Sequence, residues 1–108
     1  MNLKINLAGI FVPTEDSGLA YGEELLDFAT AILGNDLSAL NSTRRVLVES
    51  MGEDALVSAA ITAAVFSLVD RAANGIGINV EPMILEPSRD FREEFGINQF
   101  PSAANTLG

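Results

Sequence analysis

The chain has 108 residues, of which 48% are apolar, and its 15 acidic and six basic side chains give a formal charge of −9. This size and composition are typical of one packed domain and not of a disordered chain. The excess of acids disfavours nucleic acids and anionic membrane surfaces as partners. The chain contains no cysteine and no histidine, which excludes disulfides, thiolate nucleophiles, zinc–thiolate sites and imidazole bases.

The N-terminal segment shows no secretory signal, which favours a cytoplasmic location. Leu3, Ile5 and Leu7 alternate with polar residues, and Pro13 ends the segment, so residues 1–13 are predicted to form an extended arm. A first helix is predicted over Leu19–Leu33. Asp16 or Ser17 is expected to accept hydrogen bonds from the free amides of its first turn.

Two further helical segments follow the first helix. Asp36 is predicted to cap a single turn, and Ser42 is predicted to cap a helix that ends at Gly52. The longest helix is predicted over about 54–75, with Gly75 as its stop. Its longest uncharged stretch has 15 residues, which is too short and too weakly apolar to span a bilayer.

The long helix is apolar on nearly every side, which predicts a buried central helix. One stripe consists of Val57, Ile61, Val65, Leu68 and Ala72. Small residues spaced four apart would let a second helix approach closely, although alanine is also simply the best helix former. The residues that we expect at an interface between subunits are Ala59, Ala63, Ala64 and Phe66.

The C-terminal third is predicted to be irregular apart from one short helix. The two prolines of INVEPMILEP rule out a continuous helix there. Ser88 is expected to cap the short helix, which Gly96 ends, and residues 97–108 are predicted to be a loop tail. We find no linker, so the prediction is a single all-α domain over 1–108.

Few residues point to chemistry. The carboxylates cluster at helix starts, where the helix dipole and capping explain them without catalysis. Asp70 and Arg71 are the only charges that interrupt the uncharged central helix. They are interpreted as a buried structural pair, and the alternative is that Arg71 binds a ligand. No glycine motif precedes a helix as a phosphate loop must, and no metal or cofactor site is predicted.

Two segments, GEELLDFATAILGN and LVESMGEDALVSAAITAAVFSLVDRAANGIGI, resemble the C-terminal part of the carboxymuconolactone decarboxylase and alkylhydroperoxidase D-like family. The long helix carries a version of the Phe-Asn-x-x-x-Arg element of the peroxidase-related members, with Phe66, Ser67 and Arg71 at its three positions. Ser67 stands where the family usually has asparagine. The segment RDFREEFGINQFPSAANT resembles the ending of some uncharacterised relatives. The resemblance implies a helical bundle of the alkylhydroperoxidase D-like fold and an oligomer.

The family's peroxidase activity resides in a Cys-x-x-Cys element with a nearby histidine and glutamate. This chain has neither cysteine nor histidine, so no catalytic residue carries over and thiol peroxidase activity is not expected. The sequence therefore favours a non-catalytic helical domain that forms a homo-oligomer, a dimer or larger, or completes a related cysteine-bearing subunit. The alternative is a cofactor-free small-molecule-binding protein or decarboxylase-like enzyme that uses carboxylate and arginine groups.

Overall fold

The computed structural model describes residues 4–12 and 14–107, so residues 1–3 and Pro13 of the predicted arm and Gly108 of the predicted tail lie outside the described residues. The described residues contain helices and no strand, which confirms the predicted all-α class. The helices in chain order are α1 (Ala8–Phe11), α2 (Gly22–Leu33), α3 (Leu37–Met51), α4 (Glu53–Ile76), α5 (Pro82–Leu85), α6 (Arg89–Glu94), a 3₁₀ helix (Ile97–Gln99) and α7 (Ala103–Thr106).

The segment predicted as an extended arm contains the short helix α1. The side chain of Asn6 accepts a hydrogen bond from the N–H of Ala8 at 3.1 Å, which starts this turn. The backbone N–H of Asn6 donates to the carbonyl of Ser17 at 2.8 Å. Asp16 and Ser17 do not cap α2 as predicted. Their side chains instead accept from N–H groups two residues further on, at 2.9 and 3.4 Å, within the loop.

Helix α3 replaces the predicted turn and shorter helix. Asp36 caps it, since its Oδ1 accepts from the N–H groups of Ser38 at 2.9 Å and Ala39 at 3.1 Å. Ser42 was predicted to be a cap but lies inside α3, because nothing between it and Asp36 breaks a helix. Gly52 ends α3 at the predicted place, with a φ of 94°.

The longest helix, α4, occupies the predicted part of the chain. Its C-terminal end is set by Gly77 and not by Gly75, because Gly77 has the positive φ of 72°. The N–H of Gly77 donates to the carbonyl of Asn74 at 3.3 Å, and the N–H of Ile78 donates to that of Ala73 at 3.0 Å. These two bonds form a Schellman cap, which satisfies carbonyls left free at a helix end.

The residues after α4 form more helix than the sequence predicts. Helix α5 begins with Pro82 at its first position, where a missing N–H costs nothing. Ser88 precedes α6, but its hydroxyl donates to the carbonyl of Leu85 at 3.3 Å and does not cap that helix. Gly96, which has a φ of 65°, follows the end of α6 at the place that the sequence predicts. The predicted loop tail contains the 3₁₀ helix and α7.

The contacts within the chain divide it into two compact units, one ending at Val65 and the other beginning at Phe66. The single domain that the length predicts stays a prediction. In the first unit α2 and α3 pack against each other. The buried apolar side chains among the described residues are Phe28 of α2, 2% exposed, and Leu47 of α3, which is fully buried. The core of this unit therefore lies between these two helices.

Helix α4 differs most from its prediction. The sequence predicts a buried helix, and this is wrong, because none of the residues of α4 is buried. Packing among the described elements is concentrated where α2 meets α3 and where the 3₁₀ helix meets α6 and α7. An apolar helix surface indicates that its burial against another surface is favourable, but it does not indicate whether that surface belongs to the same chain.

Candidate functional site

Large apolar side chains lie exposed along one side of α4. The exposed fractions are 56% for Val57, 59% for Ile61, 53% for Val65 and 68% for Leu68. Their spacing of three or four residues places them on the same side of the helix. Ala64 is also exposed and lies among them. We call these five residues the apolar face of α4.

The four residues predicted at an interface do not share one side of α4. Ala59 and Ala63 are half-buried, whereas Ala64 is exposed and Phe66 is 65% exposed. A rotation of roughly 100° per residue puts Ala59, Ala63 and Phe66 on one side and Ala64 on another. Their role in an interface stays a prediction.

Ile61 and Leu68 lie on the surface, although their helical spacing predicts a buried stripe. They were predicted to lie in the interior of the fold because α4 is apolar on nearly every side. Exposure in the structure makes them candidates for a contact with another molecule, because each retains more than half of its surface to be covered.

Asp70 and Arg71 are both exposed, where the sequence argument expected burial. The Nε of Arg71 donates to the Oγ of Ser67, one helical turn earlier, at 3.3 Å. Among the described residues the ion pair that forms joins Arg89 to Glu86, both on the surface. Arg71 therefore has no carboxylate partner in the described part of the chain, and its proposed structural or ligand-binding role stays a prediction.

A cavity of about 610 Å³ lies in the first unit between the N-terminal segment and α2. Its described lining residues include five carboxylates and no arginine. The carboxylates belong to Glu15, Asp16, Glu23, Glu24 and Asp27. This lining repels anions, so it does not match the pocket of arginine and carboxylate groups that a decarboxylase-like site would need.

The length of α4 changes the membrane argument. The uncharged stretch has 15 residues, but the helix has 24, with a mean hydropathy of 1.6 over its most apolar 18 residues. By length and composition alone α4 could therefore cross a bilayer. The prediction that it is too short considered only the uncharged stretch and not the whole helix. The five residues on either side of α4 include acids but no Lys, Arg, Trp or Tyr, the residues that anchor helix ends at membrane interfaces.

The described residues contain no group of three or more Asp or Glu side chains that could hold a metal ion. The candidate functional site is therefore the apolar face of α4, which can contact another molecule but carries no catalytic group. The family resemblance, with the oligomer that it implies, stays a prediction. Comparison of the chain with protein-family models, with curated proteins and with solved structures finds no match.

Proposed function

We propose that this protein is a non-catalytic helical association domain, which self-associates or completes a partner subunit through α4. The observation that carries the proposal is that α4 has 24 residues and none of them is buried. Soluble proteins rarely leave a contiguous apolar surface of this kind uncovered unless it is an interaction site. The absence of cysteine and histidine supports a role in binding over a role in thiol or imidazole chemistry.

Burial of the apolar face supplies a driving force for association. Val57, Ile61 and Leu68 each expose more than half of their surface. Complete burial of such a side chain stabilises by roughly 1.5–3 kcal/mol, so each has on the order of 1 kcal/mol still to gain. In a symmetric dimer each contribution counts twice, which gives several kcal/mol against the entropy cost of association.

The charge of the chain supports a protein partner over a lipid one. The formal charge of −9 opposes approach to anionic headgroups. Near its start α4 carries Glu53 and Asp54, and Glu49 precedes it. Acids in these positions suit a helix N-terminus in water, because they complement the helix dipole.

Light scattering after size-exclusion chromatography tests the proposal. We expect the purified chain to form a dimer or larger oligomer in the micromolar range. Ile61→Lys should raise the dissociation constant by at least about tenfold, because it buries a charge in the contact. The monomer of this variant should stay helical by circular dichroism, since Ile61 is already 59% exposed.

Thr62→Lys is the matched control, because Thr62 is exposed and lies roughly 100° round the helix from Ile61. It should leave the assembly unchanged. A wild-type chain that remains a folded monomer throughout the micromolar range would show that self-association is not its function.

A further inference from the structure

The exposed side of α4 ends in opposite charges. Asp54 lies one residue after its N-terminal end, Arg71 lies five residues before its C-terminal end, and both side chains are exposed. Between them, apolar residues follow one another at alternating spacings of three and four. We define the α4 seam as the resulting series Asp54, Val57, Ile61, Ala64, Leu68 and Arg71.

The spacing of the seam is that of a two-helix contact. A stripe in which positions alternate by three and four residues is narrow enough to face a single partner helix along its length. All six seam residues are exposed. The flanking residues Ser58, Ala60 and Ser67 are small, so they leave room for a second helix to approach.

The α4 seam is complementary to a second copy of itself that runs in the opposite direction. When a second copy of α4 runs in the opposite direction, Val57 opposes Leu68, and Ile61 opposes Ala64. Asp54 then opposes Arg71 at both ends of the contact. A parallel copy would instead place Asp54 against Asp54 and Arg71 against Arg71, which is repulsive.

We propose that the occupant of the α4 seam is a second copy of this chain, whose α4 packs antiparallel with Asp54 opposite the second copy's Arg71. This inference rests on the proposed function and adds the partner, its direction and its register. Arg71 is suited to this contact because it has no ion-pair partner among the described residues. Two carboxylate–guanidinium pairs related by symmetry would close both ends of the apolar contact.

Cross-linking tests the direction, since the chain has no natural cysteine. Val57→Cys and Leu68→Cys are made as separate variants and treated with a short thiol cross-linker that spans about 10 Å, the distance between packed helix axes. In the antiparallel register a mixture of the two should cross-link, and neither should cross-link alone. The reason is that identical positions are then separated by roughly 16 Å along the axis.

Charge exchange tests the register. Asp54→Arg and Arg71→Asp should each raise the dissociation constant on the order of tenfold, because each replaces two attractive pairs by two repulsive ones. The double variant should return to the wild-type value within a few-fold. Asp70→Arg is the control for the change in net charge, because Asp70 is exposed and lies on the other side of α4. It should have no effect. Circular dichroism verifies that every variant retains its helices.

The outcomes separate this inference from the proposed function. A dimer in which Val57→Cys cross-links to itself, or in which the double variant is no better than the single ones, would overturn the antiparallel register and leave self-association standing. A folded monomer in the micromolar range overturns this inference and excludes self-association, and it leaves completion of a partner subunit as the remaining form of the proposed function. A monomer that binds phosphatidylcholine vesicles, lost in Ile61→Lys, overturns both the inference and the proposed function and assigns the apolar face to a lipid surface.

Discussion

The Nε of Arg92 donates a hydrogen bond to the Oγ of Ser88 at 2.9 Å, and the same guanidinium holds together three elements of the second unit. It also donates to the backbone carbonyl of Leu85 at 2.6 Å and to the Oδ1 of Asn98 at 2.7 Å. These bonds link the end of α5, the start of α6 and the 3₁₀ helix. Arg92 is therefore a structural residue of the second unit.

Arg92→Ala should lower the free energy of unfolding of the second unit by about 1–3 kcal/mol, because three hydrogen bonds from a charged group are lost. Hydrogen exchange over residues 82–99 measures this change. Arg89→Ala is the control, since its ion pair with Glu86 is exposed and worth at most about 1 kcal/mol. Equal effects of the two substitutions would show that Arg92 has no special role.

Leu47→Ala should be the most destabilising single truncation in α3. Leu47 is fully buried, so its loss leaves a cavity and should cost about 2–5 kcal/mol. Leu37→Ala in the same helix removes the same atoms from a side chain that is 66% exposed, and it should change stability by no more than about 0.5 kcal/mol. Urea denaturation gives both values. A cost for Leu47 as small as that for Leu37 would place the core elsewhere.

Asp36→Ala should destabilise α3 by about 1 kcal/mol, because two N–H groups lose their acceptor. Ser42→Ala should have almost no effect, since Ser42 lies inside the helix, where alanine is favoured. Thermal denaturation of the two variants compares them directly. The opposite order of stabilities would mean that α3 begins at Ser42, as the sequence suggests.

Gly77→Ala and Gly75→Ala should change stability in opposite directions. A Cβ at either position meets no atom within 4 Å, so backbone conformation alone decides the outcome. Gly77 has a φ of 72°, and alanine there should cost about 1 kcal/mol. Gly75 lies within α4, where alanine should stabilise by up to about 1 kcal/mol. Denaturation midpoints measure both, and a stabilised Gly77→Ala variant would contradict the Schellman cap.

The sequence by itself determined the helical class and the position of the long helix, because helical spacing and helix-ending glycines are local signals. It placed Gly52 and Gly96 correctly at helix ends, since only a residue without a side chain adopts a positive φ at little cost. Local signals were insufficient where two candidates compete. Asp36 and Ser42 both suit a cap, and Gly75 and Gly77 both suit a helix stop. The choice depends on which hydrogen bonds the folded backbone completes.

Only the tertiary structure decided which apolar residues are covered. Phe28 and Leu47 are no more apolar than Ile61 and Leu68, yet the first two are buried and the last two are more than half exposed. Hydropathy measures the free energy that a residue gains on leaving water, and this gain is the same whether the cover comes from the same chain or from another. Which surface provides the cover depends on how the helices pack, and that relationship between distant residues is absent from any local pattern.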